Sequence, residues 1–192
     1  MKVLRGPRAR CDRSMPVPCR EPPNDPDRER PGIVLRTARP DDRDELVCLL
    51  DSCSRRSLGH RFLTGVGTPP PAGLIEHMLV PPTPIGRATV AVLDGHVVAH
   101  GMWASASAEP DDFAELGLLV RDDQQGLGIG SALVRVLHAQ MVAQGIRRVE
   151  VNTGVDNRVI IEMIARRAPG SRPERDGPVA TYRLPVDALH AA

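Results

Sequence analysis

One stretch limits the folds open to this chain more than any other: Glu115-Leu-Gly-Leu-Leu-Val-Arg-Asp-Asp-Gln-Gln-Gly-Leu-Gly-Ile-Gly-Ser-Ala-Leu133. A strand-like apolar run, Phe113 to Val120, ends in a loop rich in glycine, and the loop opens a helix. The helix is expected from about Ile129 to Gln144, because Ile129, Leu133, Val136, Leu137 and Met141 fall on one face. Glycines let a backbone approach a ligand closely. The free N–H groups and the dipole of the helix start favour an anion there. The segment therefore reads as a phosphate cradle.

The residues admit more than one ligand. Gly126-x-Gly128 begins a dinucleotide-type pattern, with Glu150 at the distance of a ribose-binding acid. The third glycine would be Ser131, however, and such a unit normally comes early in a larger α/β domain. A helix start with no ligand is the plainest alternative.

The rest of the chain supplies the frame. Residues 1–31 hold seven prolines, eight basic and five acidic residues and are expected to be a disordered tail. Residues 32–188 read as one domain. Ile33–Leu35 is a strand, and Asp42 with Glu45 suggests a capping pair before a helix carrying Leu46, Leu49 and Leu50. A helix over Arg55–Leu63 and a short one around Leu74–Leu79 follow. Ala88–Leu93 and His96–Ala104 flank Asp94-Gly95, a strong hairpin signal. Arg148–Thr153 is a strand, Asn157–Ala168 a helix, and Asp176-Gly177 turns a last hairpin ending in Val179–Leu184. This order predicts a mixed α/β layered domain, half antiparallel.

Composition then excludes several functions. Lys2 is the single lysine, so there is neither a Walker A lysine nor a Schiff-base lysine within the fold. Four aromatics are too few for a base-stacking platform, and a net charge of +1 offers nucleic acid or membrane no bulk attraction. No apolar run approaches the length of a membrane span. Cys11, Cys19, Cys48 and Cys53 lack metal-ligand spacing and are expected to be reduced thiols of a cytoplasmic protein.

Gln125-x-x-Gly128-x-Gly130 resembles the [Q/R]-x-x-G-x-[G/A] loop of the GNAT superfamily of N-acetyltransferases. The likeness extends over roughly residues 33–186: Leu118-Leu119-Val120 stands where that family's cofactor-contacting strand ends, and Asn157 opens the next helix, where the family often has a cofactor-contacting asparagine. It implies α/β (mixed α+β) architecture, a central mixed sheet flanked by helices on both faces. It implies acetyl-CoA as co-substrate and no metal. The cofactor would lie along Leu118, Leu119, Val120, Gln125, Gly126, Leu127, Gly128, Ile129, Gly130, Ser131 and Asn157, with its pyrophosphate in the loop. Within the superfamily, Ser54-Arg-Arg-Ser57-Leu-Gly-His-Arg61-Phe62 looks like the Ser-x-x-Ser-x-x-x-Arg-Phe segment of bacterial protein lysine acetyltransferases. In those proteins a glutamate ten residues before the loop glutamine is the presumed general base; here that is Glu115.

The chain also departs from the pattern. The family's tyrosine on the late helix falls at Ile164, Ala168-Pro169-Gly170 replaces the usual Gly-Phe, and the link to Asn157 is longer. Glu150 and Asp112 are alternative bases. Arg121 is a candidate phosphate contact, and Trp103 is expected in the core or the substrate groove. His96 and His100, four apart on a strand, are expected to share one face as ordinary half-buried histidines. The expected activity is acetyl transfer from acetyl-CoA to a primary amine, a protein lysine or a small molecule, by a monomer or homodimer. The alternative is a cofactor-binding module without catalysis.

Overall fold

The computed structural model describes residues 32–63, 71–79, 83, 85–105 and 112–189. The expected tail over 1–31 lies outside them. Seven strands form one sheet in the order β1-β2-β3-β4-β5-β7-β6. They are β1 (Val34–Thr37), β2 (Gly86–Leu93), β3 (His96–Ala104), β4 (Phe113–Val120), β5 (Arg148–Gly154), β6 (Glu174–Asp176) and β7 (Val179–Pro185). The helices are α1 (Arg43–Ser52), α2 (Arg55–Phe62), α3 (Ala72–Met78), α4 (Ile129–Ala143) and α5 (Arg158–Arg167). Among the described residues, only the β4/β5 pair is parallel, and every other neighbouring pair is antiparallel. The mixed sheet with helices on both faces agrees with the expected fold class. A lone parallel pair in an antiparallel sheet does not suit the dinucleotide reading, which needs a mostly parallel one.

Each face of the sheet buries one main apolar layer. Leu46, Leu49 and Leu50 of α1 and Ile75 and Met78 of α3 pack on Val90, Val97, Met102 and Leu119. On the other face, Val134, Leu137 and Met141 of α4 and Ile164 of α5 cover Trp103, Ala114, Val149 and Tyr182. Burying such side chains contributes about 1.5–3 kcal/mol each. Trp103 is thus core.

Three local expectations are corrected. Asp42 does not cap α1. Its carboxylate accepts from both terminal nitrogens of Arg36, at 2.7 and 2.6 Å, and from Arg39 N at 2.7 Å. The Arg36 guanidinium holds Asp42 below the usual carboxylate range. Glu45 instead accepts from Val97 N at 3.0 Å and ties α1 to β3.

The histidine pair is separated by a bulge. Val97 pairs with Val92 but Ala99 with Ala91, leaving Val98 as an extra residue. Val98 and Ala99 both enter the same core layer with Ile129 and Leu133 of α4, so alternation breaks between His96 and His100. His96 lies against Glu45 at 3.3 Å, while His100 is fully buried and its Nε2 contacts Met78 O at 2.8 Å.

The thiols differ too. Cys53 is free and buried, but Cys48 is disulfide-bonded.

Candidate active site

The parallel pair creates the site by failing to continue. β4 and β5 pair from Phe113↔Arg148 to Glu115↔Glu150 and then part. β4 stays with β3 as far as Val120, and β5 stays with β7 as far as Gly154. Arg121 N donates to Val98 O of β3 at 2.9 Å. By antiparallel alternation, the N–H and C=O groups of Leu118 and Val120 face the other way, into the gap. Consistent with this, Val120 O accepts from Gln125 Nε2 at 3.0 Å. A cavity of about 910 Å³ fills the opening between the strands and extends under α2 and α5.

The glycine-rich loop closes one end. Gly126 and Gly128 have φ of 77° and 83°, a region that side chains with a Cβ rarely adopt. Gly128 begins α4 without a side-chain cap, and the helix has no acid in its first turn. Its first internal bond runs from Ala132 N to Gly128 O, which leaves the preceding N–H groups for a ligand. A Cβ on Gly130 would meet only Val120 Cγ2, at 3.7 Å, so the protein's own packing does not demand glycine there. Together these features make an anion site on a 15-residue helix.

α2 braces this loop. Ser54 Oγ accepts from Ser57 N at 3.2 Å and caps the helix. Asp122 accepts from Ser54 N, Ser54 Oγ and Ser57 Oγ at 2.7, 2.9 and 2.8 Å. Gln125 Nε2 also donates to Ser57 Oγ, at 3.2 Å. Burial works to raise the Asp122 carboxyl, but the hydrogen bonds from Ser54 and Ser57 outweigh it and hold the group below its usual range. The Ser-x-x-Ser spacing thus has a local cause: one hydroxyl caps the helix, and the other sits a turn later, facing the loop.

Of the residues singled out in the sequence, Glu115, Leu118, Leu119, Val120, Gln125, Gly126, Gly128, Gly130, Ser131 and Asn157 line this one cavity. Leu127 and Ile129 do not. Leu127 is exposed, and Ile129 is buried beneath the loop. Asn157 accepts from Ile160 N at 3.5 Å to cap α5 and donates to Thr153 Oγ1 at 3.0 Å. Ile164 also lines the cavity. Arg121 is engaged by Asp123, at 2.6 Å.

The acids separate clearly. Glu115 is exposed to the cavity and forms no hydrogen bond or ion pair among the described residues. Glu150 accepts from Arg183 Nε at 3.0 Å and Asn152 Nδ2 at 3.1 Å and does not line the cavity. Asp112 accepts from Arg148 at 2.6 Å, away from the cavity. Among the described residues, no group of three or more His, Cys, Asp or Glu could hold a metal ion.

One cavity-lining side chain has a place in the sequence pattern but no role there. Arg61 reaches from α2 to lie over Gly117, where a Cβ would come within 2.4 Å of the guanidinium carbon. Only glycine allows that contact. Burial pushes the Arg61 guanidinium down to about 10, against the opposing pull of Glu115, so it remains a cation at neutral pH.

A splayed parallel pair, a glycine loop on a helix start and a glutamate outside any described ion pair meet in one cleft. Residues 61–168, more than half of the chain, match the sequence profile of the acetyltransferase (GNAT) family. The chain belongs to that family and is therefore an acyltransferase by class. No curated protein matches it. Among solved structures, the GNAT domain of S. lividans PAT is similar at 23% identity and a TM-score of 0.70, covering 80% of this chain and 90% of that one. An N-acetyltransferase from Staphylococcus aureus Mu50 is 16% identical with a TM-score of 0.60, over 81% and 99% of the two chains. PaiA N-acetyltransferase from Thermoplasma acidophilum, solved with coenzyme A, is 15% identical with a TM-score of 0.56, over 80% and 99%.

Proposed function

We propose that this protein transfers an acetyl group from acetyl-CoA to a primary amine. One observation carries the reading: the gap between β4 and β5 joins an uncapped, glycine-lined helix start to an unpaired glutamate in a single cavity.

The geometry supports the following roles. The N–H groups of Gly126–Ser131 take the pyrophosphate, and Ser57 and Asp122 hold the loop in shape. The pantetheine arm lies along Leu118–Val120 as an extended partner to the unpaired strand edge. Leu118 N–H donates to the thioester carbonyl and stabilises the oxyanion as it forms. The acceptor amine approaches from the Glu115 side of β4. Its nitrogen forms the new C–N bond, its proton passes to the Glu115 carboxylate directly or through a water, and the C–S bond breaks to release the thiolate. A free thiol has a pKa of about 8.5, so it leaves without a dedicated acid, and Ile164 in place of the family's tyrosine is tolerable.

The acceptor class is a primary amine. The Ser54–Phe62 segment favours a protein lysine, and the open cavity suits a small molecule as well. The test is amine-dependent release of free CoA thiol by the purified protein. Release with at least one amine supports catalysis. Tight acetyl-CoA binding without any amine-dependent release would leave only a cofactor-binding module.

A further inference from the structure

We propose that Arg61 binds a carboxylate carried next to the reacting centre, and that the preferred acceptor is an amine bearing a carboxylate on the adjoining carbon, as in a free amino acid. This rests on the acetyltransferase reading and, of the two acceptor kinds named for that site, commits to the small molecule over the protein lysine.

Arg61 is a cation that feels the pull of Glu115 but makes no ion pair among the described residues. Among the described residues its Nε is sealed from solvent and has no hydrogen-bond partner. Leaving a buried charge unpaired is costly, so a ligand that supplies the partner binds with that cost removed. Phe62 presents a ring face 4.9 Å from the guanidinium carbon, which supplies no anion.

The position of the charge decides which ligand group it meets. Gly117, beneath the guanidinium, and Glu115 are two apart on β4 and so share one face, about 7 Å apart along the strand. The pyrophosphate loop begins only beyond Val120, a further ~10 Å away along the strand. Arg61 is therefore too far along the cleft to be the phosphate ligand. A cation and an acid side by side, neither in a close ion pair among the described residues, suit a molecule whose amine and carboxylate are close together. The planar guanidinium takes a carboxylate through two parallel hydrogen bonds. A lysine side chain has no carboxylate within this reach of its amine. A carboxylate at the end of the acyl group would present the same chemistry from the cofactor side.

The test compares methionine with methioninamide as acceptors for acetyl-CoA, beside a lysine-containing peptide blocked at both ends. Wild type should favour the free acid by roughly 10–100-fold in kcat/KM, and Arg61→Gln should bring the ratio near one, with acetyl-CoA affinity held within about twofold. Arg61→Lys should recover the preference only in part. Calorimetry on the CoA complex gives a second readout independent of turnover: N-acetylmethionine should bind and its amide should not, and Arg61→Gln should abolish the difference. Comparing succinyl-CoA with acetyl-CoA separates the sources. A loss on Arg61→Gln confined to succinyl-CoA would assign the carboxylate to the acyl group and overturn the acceptor preference. Equal use of acid and amide, or a preference for the blocked peptide, would overturn the proposal while leaving acetyl transfer intact. Acetyl-CoA binding with neither turnover nor discrimination between N-acetylmethionine and its amide would remove both readings.

Discussion

At the scale of single residues, the cavity distinguishes acids that share a sheet. Glu115 and Glu150 are register partners, yet Arg183 and Asn152 occupy Glu150, while Glu115 lines the cavity with no ion pair among the described residues. Glu115→Gln should lower turnover by roughly 10²–10⁴ and leave acetyl-CoA affinity nearly unchanged. The loss should shrink as pH rises, because more of the amine is then already deprotonated. Glu150→Gln should cost little in the same assay, and the opposite pattern would make Glu150 the base. His100 gives a prediction of another kind. Burial, aided by Arg61, pushes its imidazole down to about 4, and it stays neutral in the fold. An unfolded histidine titrates near 6.5, so between about pH 6.5 and 4 the unfolded chain binds the extra proton. Folding stability should then fall with decreasing pH by up to about 1.4 kcal/mol per unit from this group. Denaturant unfolding of wild type and His100→Gln across that range should show the variant losing less.

At the scale of elements, much was legible in advance and the reason is local. Asp94-Gly95 turned the hairpin as expected, with φ of 53° and 85° at the two positions, because such a turn needs residues that accept positive φ. Phe113–Val120 and the α4 start followed from the apolar run and the glycines. What stayed hidden depends on distant partners. No local pattern shows that Asp42 is taken by Arg36, or that a bulge at Val98 separates His96 from His100. The Ser-x-x-Ser spacing was visible, but its function requires α2 to dock on a loop 68 residues away. Ser57→Ala removes the hydroxyl that Asp122 and Gln125 share. It should raise the KM for acetyl-CoA about 5–10-fold while cutting kcat much less. An unchanged KM would show that the loop keeps its shape unaided. Gly128→Ala forces a Cβ into the left-handed region, at a cost of about 1–2 kcal/mol. It should weaken acetyl-CoA about tenfold, with the unfolding midpoint only slightly lowered.

At the scale of the whole molecule, function comes from an incomplete sheet. Two strands that pair for three residues and then part leave a polar strand edge in the middle of a seven-stranded sheet. Unpaired backbone groups in such a place need a partner. In the proposed function an extended amide-containing arm supplies one, and the anion site at the α4 start fixes its far end. This arrangement could not be read from the sequence, because strand order and splay are set by which helices cover each face. The most direct measurement is a calorimetric titration of the full chain with acetyl-CoA and, separately, with NAD, repeated with Gly128→Ala. Saturable one-to-one binding of acetyl-CoA, weakened by the substitution, with no response to NAD, is the predicted result. Binding of NAD without acetyl-CoA, or acetyl-CoA binding indifferent to Gly128→Ala, would contradict the assignment of this cleft.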